Sequence, residues 1–199
     1  KHGADVIEPV MDCAIELGIK VVSLYAFSVE NWSRPVTEVN GLWKLLEYFF
    51  STKLDTIKSK NIQIRHSGSL DKLPSSTRKT ILKAIDETKK NNLIVLNFCV
   101  NYGGRQEIIR AVNEWAADIR PGDKITEKKL GKHLYTAGLP ELDLLIRTSG
   151  EYRISNFLLW QLAYAELYFT DVLWPDFKPE ELKKAVSEFQ KRERRYGGL

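Results

Sequence analysis

Four apolar, β-branched runs recur along the chain, and the segments between them have helical spacing. The runs are IKVVSLYAFS at 19–28, NIQIRHSG at 61–68, LIVLNFCVNYGG at 93–104 and LDLLIRTSG at 142–150. Between the first two runs, apolar residues recur three and four positions apart, at Val39, Leu42, Leu45, Leu46 and Phe49. This alternation predicts an α/β fold in which helices flank a parallel β-sheet.

Small and polar residues follow these apolar runs. The first run leads into SVENWSRP, the third into NYGGR and the fourth into RTSGEYRIS. Parallel sheets bind their ligands beyond the carboxyl ends of the strands. We therefore expect the functional residues in these three segments.

Composition and length favour one globular domain over residues 1–199. Hydrophobic residues make up 43% of the chain and charged residues 28%, with no low-complexity tract. No apolar run approaches the roughly 20 residues that a transmembrane helix needs, and no signal peptide is recognisable. Cys13 and Cys99 lie in apolar patterns far apart, which favours buried free thiols and a cytoplasmic location.

Much of the net charge of +4 lies in the basic run KRERR at 191–195. A solvated helix end explains this run, and a nucleic-acid patch is the alternative. Nothing in the run stacks or repeats, so we expect no nucleic-acid partner.

Two arginines in RTSGEYRIS suggest an anion site. Arg147 and Arg153 flank a loop with two hydroxyls, and Ser155 precedes an apolar stretch, NFLLW, that we expect to open as a helical turn. A guanidinium binds two oxygens at once, and backbone N–H groups point outward at a helix amino end, so the ligand is expected to be a phosphate or diphosphate. A carboxylate, which would need fewer donors, is the other option. Surface salt bridges to Glu141 and Glu151 are the alternative.

Glu166 interrupts an apolar and aromatic run, AYAELYFTD. A buried, unpaired carboxylate is costly, so this residue needs an arginine or a metal ion as a partner. With a diphosphate nearby, magnesium is the natural candidate, because it binds carboxylate and phosphate oxygens together. An ion pair with Arg147 or Arg153 is equally compatible with the sequence.

The segment FSVENWSRP at 27–35 combines polar, aromatic and basic residues directly after the first apolar run. Ordinary helix capping explains Ser33 and Pro35. It does not explain Trp32 and Arg34 together. An aromatic face beside a cation suits a ligand that is apolar at one end and anionic at the other.

Other familiar catalytic signatures are missing from the sequence. NYGGR at 101–105 is neither a P-loop nor a dinucleotide fingerprint, so a tight turn is the preferred interpretation. The three histidines, His2, His66 and His133, are scattered and are interpreted as structural or surface residues.

Four motifs together resemble those of the cis-prenyltransferases, most closely the bacterial undecaprenyl diphosphate synthases. They are LYAFSVENWSRP, NYGGR, LIRTSGEYRISNFLLWQLAYAELYFTDVLWPDF and RERRYGG, and the resemblance runs from about Gly3 to Gly198. It implies that isopentenyl diphosphate is added repeatedly to an allylic diphosphate, usually farnesyl diphosphate, with Mg²⁺ and cis geometry. It also implies a hydrophobic tunnel for the growing chain, a homodimer and peripheral membrane contact through the lipid product.

The resemblance also implies roles for individual residues. Asn31 matches the position credited with handling the departing proton, although a neutral amide is a poor base and orienting water or diphosphate is the alternative. Glu166 would help to place magnesium, and Ile94 matches a position near the tunnel floor. The positions that match substrate contacts are Ser28, Val29, Glu30, Trp32, Arg34, Arg147, Arg153, Ile154 and Ser155.

Two departures from the family pattern are expected to matter. The family's Asp-Gly-Asn-Gly-Arg-Trp segment, which supplies a magnesium-binding aspartate, would precede Lys1, so the printed chain is expected to be catalytically incomplete. Tyr152 stands where some members carry a histidine, and a neutral phenol is a weak magnesium ligand. A non-catalytic subunit that binds an active partner is the alternative, but such subunits usually lose the arginines and serine retained here at Arg147, Arg153 and Ser155.

Overall fold

Parallel strands and helices alternate along the chain. The computed structural model describes residues 2–117, 119–120 and 122–193. The strands are β1 (Val21–Ser28), β2 (Ile62–Ser67), β3 (Ile94–Tyr102), β4 (Leu144–Arg147) and β5 (Glu166–Phe169). The helices are α1 (His2–Asp5), α2 (Ile7–Glu16), α3 (Val36–Ser59), α4 (Ser75–Thr88), α5 (Gly104–Ala117), α6 (Glu127–Gly131) and α7 (Pro179–Gln190). Short 3-10 helices cover Val29–Ser33, Gln161–Tyr164 and Trp174–Asp176.

The strands form two parallel groups. β3 lies between β1 and β2 in one sheet, and β4 pairs with β5 in another. The predicted parallel sheet flanked by helices is confirmed, but the fourth predicted strand belongs to a separate pair. Its partner β5 was not predicted as a strand, because four residues are too few to show a period-two pattern.

One face of β3 forms the centre of the core. Leu96 and Phe98 are buried, and the Phe98 ring packs against Phe49 and Phe50 of α3 with centroids 5.6 and 5.1 Å apart. Burying each such side chain contributes about 1.5–3 kcal/mol. The alternate apolar residues of β3 thus hold the longest helix against the sheet.

Prolines lie at the beginnings of four of the described helices, and Pro74 directly precedes α4. Pro35 precedes the first residue of α3, and Pro179 is the first residue of α7. Pro9 lies in the first turn of α2, which begins at Ile7 after a break from α1. Proline is tolerated there, because its missing N–H would have no partner within the first turn of a helix.

A polar row crosses the buried middle of the three-stranded sheet. Asn97 on β3 accepts a hydrogen bond from Ser67 Oγ on β2 at 3.0 Å and donates one to Ser23 Oγ on β1 at 3.1 Å. Asn97 and Ser67 are buried, so these bonds offset the cost of removing their polar groups from water.

A cavity of about 800 Å³ lies beside β1 and β4. Apolar side chains of β1, α3 and β4 make up much of its wall, among them Val22, Leu24, Leu42, Leu46, Phe49, Leu144 and Ile146. The cavity matches the predicted hydrophobic tunnel in character. Ile94, expected near the tunnel floor, is not part of the wall and packs instead into the core, 1% exposed.

The two cysteines and the membrane prediction can also be compared with the structure. Cys13 and Cys99 are buried free thiols, as predicted. Over the residues with described positions, none of the helices combines the length and the hydropathy required to span a bilayer. The basic run is described only through Glu193, so Arg194 and Arg195 lie outside the described residues.

Candidate active site

Three segments that follow predicted strands meet in the structure: the ENW turn (28–33), the glycine turn (101–105) and the arginine loop (147–156). Ser28 at the end of β1 pairs in register with Tyr102 at the end of β3. The Tyr25 hydroxyl donates to the carbonyl oxygens of Tyr102 at 3.2 Å and Ser155 at 3.4 Å. The three segments therefore converge beyond the ends of β1, β3 and β4, and their functional role stays a prediction.

The ENW turn is held by its own polar residues and by the glycine turn. The backbone N–H of Ser28 donates to Asn31 Oδ1 at 2.8 Å, and Trp32 Nε1 donates to Asn101 Oδ1 at 2.8 Å. Because the amide oxygen of Asn31 already accepts a bond, its remaining capacity is chiefly that of a donor. This arrangement favours an orienting role for Asn31 over that of a base.

Glu30 faces the arginine loop. Its Oε1 accepts a hydrogen bond from Asn156 Nδ2 at 2.8 Å. Burial by itself would raise the pKa of Glu30, but hydrogen bonds from Asn156, from backbone and from Ser28, with the charge of Arg105, hold this pKa below its ordinary value. Glu30 is therefore a carboxylate at neutral pH.

Arg147 carries an unsatisfied donor. It is the last residue of β4 and lines the apolar cavity. Its Nε is buried and has no hydrogen-bond partner among the residues that the structure describes. A buried donor without a hydrogen-bond partner costs about 1–3 kcal/mol, and more if the group is charged. The position is therefore suited to an anionic ligand. Salt bridging to Glu141 does not account for it.

Arg153, in contrast, already has a partner. Its side chain is 63% exposed and forms an ion pair with Glu151. The salt-bridge alternative therefore applies to Arg153 but not to Arg147. Ile154 lines the cavity, whereas Ser155 is exposed.

The prediction of a helical turn after Ser155 is wrong. The stretch 156–160 consists of turns and bends, and a 3-10 helix begins only at Gln161. The reason is a series of left-handed backbone conformations, which cannot start a right-handed helix. The non-glycine residues of this region with positive φ are Ser149, Ser155, Asn156 and Leu158. Each costs about 1–2 kcal/mol, and such residues concentrate at functional sites.

Glu166 lies away from the arginine loop within one chain. It pairs with Leu144 in the β4–β5 register, whereas Arg147 pairs with Phe169, three residues or about 10 Å further along the strands. Glu166 Oε2 instead accepts a 2.6 Å bond from Arg192 Nη1. The sequence correctly required a cationic or metal partner, but the predicted ion pair with Arg147 or Arg153 is wrong.

The remaining predicted residues occupy separate positions. Arg34 forms an ion pair with Glu38 at 2.7 Å, one helical turn on, with both side chains about half exposed. Val29 lies close to the glycine turn: a Cβ at Gly103 would come within 2.8 Å of its Cγ2. Tyr152 is 77% exposed and packs on the Phe169 ring.

The donors of one chain do not form a magnesium cage. Within the described ranges, no three His, Cys, Asp or Glu side chains are grouped closely enough to hold a metal ion. Magnesium commonly takes one or two carboxylates and completes its shell with water and phosphate oxygens. Glu166 alone could therefore bind it only together with a phosphorylated ligand.

Glu107 was missed by the sequence analysis. Its carboxylate is 1% exposed and accepts bonds from the Tyr102 hydroxyl at 2.5 Å, Tyr135 N at 2.8 Å and Gln161 Nε2 at 3.1 Å. Burial and the Glu107 charge both raise the pKa of Tyr102, which stays protonated. Helical spacing from the buried Ala111, four residues on, was the available signal that Glu107 faces inward.

A parallel sheet, an apolar cavity and a cationic loop beside it define an α/β protein with a site suited to an amphiphilic anion. The prenyltransferase family model, which describes undecaprenyl diphosphate synthases, matches residues 1–197. Isoprenyl transferases from Halalkalibacterium halodurans and Leptospira interrogans are 51% and 49% identical, and each matches all of this chain, with 79% and 85% of the relative covered.

Two solved structures share the fold. The crystal structure of a probable undecaprenyl diphosphate synthase from Campylobacter jejuni has a TM-score of 0.89 and 34% identity, covering 98% of this chain and 92% of that one. Lavandulyl diphosphate synthase from Lavandula x intermedia, in complex with dimethylallyl diphosphate, has a TM-score of 0.94 and 34% identity, covering 98% and 86%. The chain therefore belongs to the undecaprenyl diphosphate synthase family and is a prenyltransferase.

Proposed function

We propose that this prenyltransferase adds isopentenyl diphosphate repeatedly to farnesyl diphosphate, with cis geometry, to make undecaprenyl diphosphate, the lipid carrier precursor for cell-wall glycan synthesis. The observation that carries the proposal is the buried Nε of Arg147, which has no hydrogen-bond partner in the described part of the chain and lies at the wall of an apolar cavity of about 800 Å³. A cation beside an apolar volume suits a ligand with a diphosphate head and a hydrocarbon tail.

In the proposed reaction the allylic C–O bond breaks, and the diphosphate leaves with the electron pair. The double bond of isopentenyl diphosphate attacks the allylic cation, and a proton is then lost from the new adduct. Arg147, Arg153 and Ser155 would hold isopentenyl diphosphate, and preorganised positive groups stabilise charge as it develops on diphosphate. The apolar cavity would keep water from the cation. Asn31 would orient the released diphosphate or a water molecule.

Magnesium and a homodimer belong to the same proposal. When bound, the metal neutralises diphosphate charge, and Glu166 would bind it together with phosphate oxygens. Within one chain Glu166 lies about 10 Å along the strands from Arg147. A second copy that brings its own Glu166 to the arginine loop would complete the site. Exposed Tyr164 and Leu167 beside Glu166 offer apolar surface for such a contact.

The proposed setting is the cytoplasm, with peripheral membrane contact through the lipid product and no nucleic-acid partner. Two buried free thiols support a reducing compartment. The structural neighbour crystallised with dimethylallyl diphosphate supports an allylic substrate.

Incubation of the intact protein with radiolabelled isopentenyl diphosphate, farnesyl diphosphate and MgCl₂ tests the proposal directly. We expect label in a long polyprenyl product, sized by thin-layer chromatography after dephosphorylation. Arg147→Met, which keeps an unbranched apolar stem but removes the guanidinium, should incorporate far less label. Incorporation only after an active partner is added would support the non-catalytic subunit instead, and no incorporation under any condition would refute the proposal.

A further inference from the structure

We propose that Asn156 is a positioning residue that holds the ENW turn, the glycine turn and the arginine loop in one arrangement. The inference rests on the proposed function, because it concerns how these segments use isopentenyl diphosphate together. Asn156 itself need not touch a substrate.

Asn156 bonds to both other segments. Its Nδ2 donates to Glu30 Oε1 at 2.8 Å and to Gln106 Oε1 at 3.1 Å. Its Oδ1 accepts from the backbone N–H of Arg105 at 2.9 Å, and its carbonyl oxygen accepts from Gly104 N at 2.7 Å. One residue of the arginine loop thus makes four hydrogen bonds to residues at least 50 positions away in sequence.

The bonds to Gly104 and Arg105 give hydrogen-bond acceptors to the first two backbone N–H groups of α5. These are the first two residues of the helix, whose N–H groups have no partner within the helix itself. Helices usually obtain such bonds from the residue just before them. Here a distant loop supplies both, which fixes the distance between the arginine loop and the glycine turn.

The chemistry requires an asparagine at this position. An amide offers a donor for two oxygen atoms and an acceptor for an N–H, whereas a carboxylate lacks the donor and an aliphatic side chain lacks both. The φ of Asn156 is 62°, and asparagine tolerates this left-handed conformation better than most residues. A Cβ at Gly103 would lie 2.7 Å from Asn156 Nδ2, so the glycine turn leaves room for the amide.

Asn156 links the two groups of residues that are predicted to contact substrate. Ser155 and Arg153 lie one and three positions before Asn156, and Asn31 follows the Glu30 that Asn156 holds. Asn156 therefore sets the separation between the groups expected to bind isopentenyl diphosphate and those beside the reacting ends. Small errors in such a separation are costly for a reaction between two bound substrates.

Asn156→Asp is the sharpest test, because it keeps shape and the acceptor oxygen but removes the donor and turns a carboxylate toward Glu30. We expect kcat/KM for isopentenyl diphosphate to fall at least tenfold, about 1.4 kcal/mol, with most of the loss in kcat, since misplaced segments impair the chemical step. Asn113→Asp on the exposed side of α5 makes the same charge change and should leave kcat and KM unaltered. A loss in Asn156→Asp no greater than in that control would overturn the inference.

A rescue separates positioning from general damage. In the double variant Asn156→Asp with Glu30→Gln, the new amide can donate to the new carboxylate and restore the hydrogen bond with reversed polarity. We expect the double variant to be several-fold more active than Asn156→Asp alone. Purely additive losses would contradict a direct coupling between the two positions.

Amide hydrogen exchange gives a readout that does not depend on activity. In Asn156→Ala the N–H of Arg105 loses its acceptor, so its exchange should accelerate at least tenfold relative to Asn113→Ala. Unchanged exchange would refute the inference even in an active enzyme. Conversely, accelerated exchange in a protein that never incorporates isopentenyl diphosphate would refute only the proposed function.

Discussion

Arg192 Nη1 lies 2.6 Å from Glu166 Oε2 and 3.0 Å from the carbonyl oxygen of Leu167. The residue just beyond α7 therefore neutralises the carboxylate at the start of β5. If Glu166 also binds magnesium, the guanidinium and the metal compete for one carboxylate.

Removing the competing cation should ease metal binding. We expect Arg192→Gln to lower the Mg²⁺ concentration at half-maximal prenyl transfer by about two- to fivefold, because a partly exposed ion pair contributes roughly 0–1 kcal/mol. Glu166→Gln should raise that concentration. The check is the initial rate across a Mg²⁺ titration at fixed isopentenyl diphosphate, and a shift in the same direction for both variants would contradict the competition.

Glu151 should restrain Arg153 in the absence of substrate. Because the two form an ion pair, Glu151→Gln is expected to free the guanidinium and lower KM for isopentenyl diphosphate by up to about fivefold. Arg153→Ala should instead raise this KM and slow turnover. Steady-state kinetics of both single variants and the double variant test the idea, since Glu151→Gln should have no effect once Arg153 is gone.

Gly104 is required for close packing at the start of α5. An alanine Cβ there would lie 2.7 Å from Leu159 Cγ and 2.9 Å from Leu159 N, so Gly104→Ala should destabilise the fold by about 1–3 kcal/mol. Gly41→Ala is the matched control, since Gly41 lies in α3 with open space around its Cα and should gain about 0.5–1 kcal/mol. Urea unfolding of both variants measures the difference, and equal midpoints would refute the packing argument.

His66 should make stability depend on pH. Burial lowers the pKa of His66 below its ordinary value of 6.5, and the hydrogen bond between Nε2 and the Val100 carbonyl at 3.0 Å offsets this only in part. Below about pH 6.5 the unfolded chain therefore binds more protons, and stability falls as pH falls toward the lowered pKa. Urea unfolding at about pH 7.5 and about pH 5.5 should show a smaller decline for His66→Gln than for the wild type. An identical decline would exclude His66 as the source.

Much of the architecture could be predicted because parallel strands leave a strong pattern. β1, β2 and β3 are apolar runs that end in polar segments, and parallel strands place their carboxyl ends at one edge of a sheet. The convergence of the ENW turn and the glycine turn followed from that rule. The short β5 carried no comparable pattern.

The details of the site depended on tertiary contacts that one sequence does not reveal. Arg147 and Arg153 look equivalent along the chain, yet the first ends a strand at the cavity wall and the second is exposed beside an acid. The partner of Glu166 lies 26 residues away at Arg192, one of several basic candidates. Asn156 adopts a left-handed backbone that its neighbours in space stabilise, so the local sequence predicted a helical turn instead.

Asn97 constrains the register of β3, and through it the geometry of the candidate site. Sliding β3 by one residue would rotate this amide into the layer occupied by Leu96 and Phe98 and strand its polar atoms among hydrocarbon. Each stranded group would cost about 1–3 kcal/mol. This cost disfavours misaligned pairings of the sheet. It supports the pairing of Ser28 with Tyr102, which brings the ENW turn and the glycine turn together, through residues that no substrate needs to reach.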